Sequence, residues 1–226
     1  MPRESSRLIR PSKILDAEKF FIIASEGEVT ERKYFNQLSD SDIFNKEGKI
    51  EVCHIQRPSG DGNPIALRTQ IREIKRDVNY RSSDELWIIM DVDNWQHLLE
   101  KHGYTFDSFI EACETEDGAK VLVSNPCFEM WLILHLRKLS ELTNEQQEKL
   151  LLNEKEDGKP YAKRLLAEIT PGNRGYSGKP KASIFIPHVY EAIVNAKEIA
   201  VSGDKYPKSL GSDVYKIVER LVKKQE

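Results

Sequence analysis

Two aspartates one residue apart, Asp91-Val92-Asp93, close the apolar run Glu85–Met90 (ELWIIM). Alternate residues of a strand point the same way, so both carboxylates can reach one cation. Ligands that are all oxygen favour Mg²⁺ or Mn²⁺ over zinc. An Asp-x-Asp is common in surface loops, and this one gains weight because it ends a buried strand. Glu26 stands in the same relation to an earlier run, Lys19–Ser25 (KFFIIAS), which stops at Glu26-Gly27. Glu129 falls in the first turn of a helix that follows the short run Lys120–Val123 and Ser124-Asn125-Pro126. Ligands of an open parallel sheet bind just beyond the carboxyl ends of its strands, and Glu26, Asp91, Asp93 and Glu129 would all be delivered there. Carboxylates gathered at one edge repel one another unless a cation compensates.

Other reactive residues carry less. Glu28 and Glu31 suit the positive end of a helix dipole better than a site. Cys53-His54 has no metal-ligand spacing, and reads as a core cysteine beside a half-buried histidine. Cys127 sits at a helix start, where a thiol pKa is expected to fall, but no adjacent residue supplies a base. His135 shares a helix face with Phe128 and Trp131 and is expected to pack against them. Ser59-Gly60-Asp61-Gly62 lacks the lysine and glycine spacing of a phosphate-binding loop. Two segments could meet anions. The stripe Arg68, Arg72, Lys75, Arg76 reads as a solvated helix face or as a nucleic-acid contact. Gly158–Ser183 holds Lys159, Lys163, Arg164, Arg174, Lys179 and Lys181 against the single acid Glu168, with Tyr161 and Tyr176 interleaved. A net +5 with aromatics suits a phosphate backbone and an unstacked base.

The elements that must position these residues follow from periodicity. Strands are expected at Lys19–Ser25, Ile50–Gln56, Glu85–Met90 and Lys120–Val123. A helix starts near Thr30, with Tyr34, Phe35 and Leu38 on one face. Another runs from Pro64 to about Arg81, capped by Asn63, and places Leu67, Ile71, Ile74 and Val78 in one stripe. Asn125 and Pro126 read as a second cap and first-turn proline. Strand–helix repetition up to residue 137 is the pattern of a mostly parallel sheet with right-handed crossovers. Beyond it strand-like runs almost vanish, and helices dominate to the last one near Asp213–Lys224. The expected fold is therefore α/β, a mostly parallel four-stranded sheet flanked by helices with a C-terminal helical extension. Its domains are an arm at 1–18, an α/β core at 19–137 and the extension at 138–226.

Composition agrees with a folded globular chain: 226 residues, 39% hydrophobic and 31% charged. The net charge of -3 is unevenly spread, at -7 for residues 1–136 and +4 for 137–226. That segregation suits one half that holds cations and another that meets anions. Three cysteines with no CxxC pair imply reduced thiols and a cytoplasmic setting. No apolar run approaches a membrane span.

Taken together, Glu26-Gly27-Glu28-Val29-Thr30-Glu31, Asp91-Val92-Asp93, Ser124-Asn125-Pro126-Cys127-Phe128-Glu129 with Trp131-Leu132 and His135, and a closing Val214-Tyr215 helix resemble the RloB-like family. The resemblance spans about residues 20–222. The closing segment Tyr206–Asp213 is a loose version of the family's ending. The resemblance implies a Toprim-like (Rossmann-like) domain and a place in prokaryotic antiphage defence, beside an ATPase partner of ABC or AAA type. In Toprim domains a glutamate after the first strand and an Asp-x-Asp after the third form a Mg²⁺ site, and Glu26, Asp91 and Asp93 match those positions. The implied activity is metal-dependent hydrolysis of DNA or RNA. Asp91 and Asp93 would hold the cation. Glu26 would ligate it or act as acid–base, and Glu129 would add a ligand or orient water. Two other readings stand beside it. One is a partner-gated effector or scaffold without catalysis of its own. The other is a nucleotide-sugar transferase, whose Asp-x-Asp strand Ile89–Asn94 also resembles, though this leaves Glu26 and Asn125–Glu129 unexplained.

Overall fold

The computed structural model describes residues 19–27, 29–46, 50–54, 63–77, 80–92, 95–171 and 180–224. The expected N-terminal arm, the end of the second strand, the loop before Asn63, and Val78, Asp93, Arg174, Tyr176 and Lys179 lie outside them. The described residues form an α/β fold whose strands are hydrogen-bonded in the order β2-β1-β3-β4-β7. They are β1 (Lys19–Ser25), β2 (Ile50–His54), β3 (Glu85–Asp91), β4 (Ala119–Asn125) and β7 (Gly211–Ser212). β1 pairs in parallel with both β2 and β3. The four expected strands are present. The fifth, β7, is a two-residue antiparallel addition to β4 that is too short to leave a periodic signal.

The chain divides into two compact units. The first comprises the described residues of 1–28, 45–89 and 95–121. It contains β1, β2, most of β3, and the helices α2 (Pro64–Lys75), α3 (Gln96–Lys101) and α4 (Phe106–Thr115). Phe20–Ala24 are buried along the whole of β1, as expected of a strand covered on both faces. α2 packs on β1 and buries Leu67, Ile71 and Ile74. Its start is the one expected: Pro64 is the first helical residue and the Asn63 side chain accepts from the Ala66 amide at 2.9 Å. Its end comes earlier than Arg81. The amides of Arg76 and Asp77 turn to carbonyls three residues back, Glu73 and Ile74, so the last turn tightens and the helix closes at Lys75.

The second unit comprises the described residues of 29–44, 90–94 and 122–226. Its helices are α1 (Thr30–Ser39), α5 (Glu129–Leu136), α6 (Asn144–Leu152), α7 (Tyr161–Ile169), α8 (Ala182–Phe185), α9 (Val189–Ile199) and α10 (Tyr215–Leu221). A hairpin of β5 (Lys155–Glu156) and β6 (Lys159–Pro160) joins α6 to α7. α5 is apolar all round, with Met130–Leu134 buried, and α7, α8 and α9 pack against it. A helix without a polar face must lie inside. α10 buries Ile217, Val218 and Leu221, with Val214 just before it.

The expected cap at Asn125 does not form. Asn125 remains in β4, paired with Gly211, and its side-chain amide donates to the Pro207 carbonyl at 3.0 Å. With its backbone in the ladder, Asn125 cannot start a helix, and α5 begins at Glu129. Among the described residues no helix is long and apolar enough to cross a membrane.

Candidate functional site

In the first unit Glu26 follows β1 directly. Its amide donates to the Ile89 carbonyl at 3.0 Å, carrying the β1–β3 pairing past the Ser25–Ile89 register. Its carboxylate accepts from Trp95 Nε1 at 2.9 Å. The Ser25 hydroxyl donates to the Gly27 carbonyl at 2.9 Å and holds the turn. The strand's apolar sequence thus ends in a polar turn whose acidic side chain has a fixed donor. Trp95 went unnoticed in the sequence. Its only signal is an indole N–H, a donor without acceptor capacity, close behind the Asp-x-Asp.

In the second unit Asp91 is the last residue of β3, half-buried, and the following Val92 amide donates to the Ser124 carbonyl at 2.9 Å. Glu129 opens α5 and is 5% exposed. A carboxylate there gains from the helix dipole, and Lys163 Nζ lies 3.8 Å from its Oε1. Cys127 reports on both acids. Burial pushes its thiol well above the ordinary cysteine range, and the charges of Glu129 and then Asp91 push it further. Asp91 and Glu129 therefore act on one and the same thiol. The lowered pKa expected from a helix start is overturned, because a buried thiol among carboxylates is held protonated.

The donor chemistry can be compared with the implied cation. Among the described residues no three His, Cys, Asp or Glu side chains form a metal-holding group, and Asp93 lies outside them. The groups in place are carboxylates, the neighbouring sulfur is kept as a thiol, and His135 is committed elsewhere. Its Nδ1 bonds the Trp131 carbonyl at 2.8 Å and its Nε2 the Tyr34 hydroxyl at 3.1 Å. Carboxylate oxygens are the donor type that Mg²⁺ and Mn²⁺ prefer. His135 stacks edge-on against Trp131 with ring centroids 4.7 Å apart, the packing role expected of it.

The basic residues separate into two groups. Arg68 is 4% exposed, and its guanidinium donates to Asp117 at 2.5 Å, Glu116 at 2.7 Å, the Tyr104 hydroxyl at 2.8 Å and the Ala112 carbonyl at 3.2 Å. Arg72 donates to Asp117 at 2.6 Å and Glu116 at 3.0 Å, and Lys75 to the Asp117 carbonyl at 2.7 Å. Arg68 and Arg72 are thus engaged in an ion-pair cluster that fastens α2 to the turn after α4, Arg68 buried and Arg72 partly exposed, while Lys75 and Arg76 stay on the exposed face of the helix. Lys159 lies on β6, Lys163 and Arg164 on α7, and Lys181 just before α8. Lys159 and Lys181 are exposed, while Arg164 pairs with Glu156.

A distant segment completes the end of β4. The Ser124 and Ser212 hydroxyls bond at 2.8 Å and the Asp213 amide donates to the Val123 carbonyl at 2.9 Å. Residues 123–125 and 207–213, which both belong to the motif pattern of the sequence, are locked together. A protein-family model described as RloB-like protein matches residues 21–221. No curated protein and no solved structure matches the chain.

Proposed function

The chain belongs to the RloB-like protein family, and from that premise we propose that it is a metal-dependent nuclease cleaving phosphodiester bonds of DNA or RNA. The observation that carries this reading is that the predicted acids stand where strands end: Glu26 follows β1 directly, Asp91 is the last residue of β3, and Glu129 opens α5 just beyond β4. Asp91 and Asp93 would hold Mg²⁺ or Mn²⁺. When bound, the cation neutralises phosphate charge and lowers the pKa of water. Glu26, oriented by the Trp95 N–H, takes the proton of the attacking water or adds a ligand. Glu129 orients that water, and Lys163, already beside it, meets the phosphate. Lys159, Arg164, Arg174, Lys179 and Lys181 belong to the same basic segment and would track the backbone. The resemblance to defence-associated proteins also supports an ABC- or AAA-type ATPase as partner.

The test is calorimetric titration with Mg²⁺ and Mn²⁺, followed by cleavage of labelled single-stranded and duplex DNA and RNA with and without that ATPase. Wild type binds and cleaves, and Asp91→Asn loses metal binding and cleavage while retaining nucleic-acid binding. Full cleavage by Asp91→Asn would end the proposal.

A further inference from the structure

We infer that the cleft between α6, the β5–β6 hairpin and α7 captures one unstacked nucleotide of a single-stranded nucleic acid. This rests on the reading above that a nucleic acid is the substrate. The cleft has a volume of about 370 Å³ and is lined by Lys149, Glu154, Lys155, Glu156, Tyr161 and Arg164. Pockets for small ligands start at roughly 300 Å³, so a single nucleotide fits where a duplex does not.

Three features select a nucleotide over another ligand of that size. The Arg164 guanidinium lies 5.2 Å from the centre of the Tyr161 ring. The guanidinium covers one face of the ring, and the stacked pair offers flat surfaces on which a base can stack. Arg164 also has capacity left: Nη1 is taken by Glu156, whereas the buried Nε has no protein partner among the described residues. A guanidinium edge presents paired donors that match phosphate oxygens. Finally, Lys149 and Lys155 stand at the same cleft, and the acid Glu154 can accept from an N–H on a base's edge.

The platform is joined to the candidate site. Asp157 and Gly158, with φ of 51° and 74°, form the tight two-residue turn of the hairpin, the conformation Asp-Gly favours. Asn153, which caps α6, accepts from the Ala162 amide at 2.9 Å and donates to Cys127 Sγ at 3.7 Å. On α7, Lys163 reaches Glu129 while its neighbour Arg164 lines the cleft. A base held on Tyr161 therefore places its strand alongside the carboxylates.

The experiment is fluorescence anisotropy with a labelled twelve-nucleotide oligothymidylate, its RNA counterpart and a duplex of the same length, in EDTA so that cleavage plays no part. Tyr161→Ala and Arg164→Ala each weaken single-strand binding about tenfold, Tyr161→Phe keeps it, and Glu156→Gln tightens it by freeing Arg164. Duplex binding changes less than twofold in both Tyr161 variants. Wild-type affinity in Tyr161→Ala, or equal losses for single strand and duplex, overturns the inference. So does an unchanged affinity in Glu156→Gln, which removes an exposed charge and leaves the fold intact. Asp91→Asn separates the two proposals: it leaves this binding as in wild type while abolishing cleavage. Lost binding in Tyr161→Ala with no cleavage by wild type would keep this inference and sink the hydrolytic one.

Discussion

The Tyr34 hydroxyl donates to Nε2 of His135 at 3.1 Å, across 101 residues of sequence. The tautomer follows from the other nitrogen. Nδ1 lies 2.8 Å from the Trp131 carbonyl, which can only accept, so Nδ1 carries the proton and Nε2 is the acceptor. The imidazole is buried and its pKa is lowered to about 3 by that burial. It stays neutral at pH 7 and serves as a structural joint of the second unit rather than as a proton carrier.

This joint makes stability pH-dependent in a definite direction. The unfolded histidine takes a proton near pH 6.5 and the folded one only near pH 3, so protonation favours the unfolded chain between those values. Stability is complete above pH 6.5 and falls on acidification, by about 2 kcal/mol at pH 5. Urea unfolding at pH 7 and pH 5 measures the loss. In His135→Phe the loss shrinks, while stability at pH 7 drops by about 1–3 kcal/mol because the Tyr34 hydroxyl is left buried without its acceptor.

The cluster around Arg68 gives a second expectation. Burial alone would push the Asp117 carboxyl up, but the bonds and charges of Arg68 and Arg72 outweigh it and hold the group below the usual carboxylate range. Arg68→Ala leaves that carboxylate buried beside a single exposed partner. Breaking a buried pair on one side costs about 3–5 kcal/mol, so denaturant unfolding shows a loss of that order. Binding of nucleic acid by the folded variant is unchanged, since this guanidinium points inward.

Cys113 and Cys127 should both resist thiol reagents. Burial pushes Cys113 up to about 12 and Cys127 well above its ordinary value, and a thiol rather than a thiolate reacts slowly. Iodoacetamide labelling read by peptide mass spectrometry should leave both unmodified at pH 8 in the native protein and modify both in urea. Fast native labelling of Cys127 would show that the thiol is not buried as described.

Lys163 supplies a test of the phosphate contact. Lys163→Ala weakens oligonucleotide binding without changing sequence preference, and the slope of log affinity against log salt falls by about 1. Titrations at several salt concentrations measure it. An unchanged slope would place Lys163 solely as a counter-ion of Glu129.

How much of this was readable beforehand depends on the range of each interaction. β1 and β3 are continuous apolar runs ended by acids, so their span and the position of Glu26 and Asp91 at strand ends came directly from residue types. Asn63 and Pro64 are local signals and were read correctly. Asn125-Pro126 carries the same local signal and misled, because a partner more than 80 residues away, Gly211, extends β4 through Asn125. The pairing of Arg68 and Arg72 depends on Asp117, 45 to 49 residues on. The rise of the Cys127 pKa comes first from burial, with Glu129 and then Asp91 adding to it. Local chemistry was legible; pairings set by tertiary closure were not.

The two-residue strand β7 has a consequence for how the molecule is made. Until Gly211 and Ser212 are in place, the edge of β4 at Ser124 and Asn125 lacks its backbone partner, and Asn125 has no Pro207 carbonyl to hold. During synthesis that edge waits for more than 80 further residues, exposed to whatever other strand is nearby. The end of β4 therefore closes only after this later segment has emerged from the ribosome. A chain interrupted before Gly211 leaves that edge open.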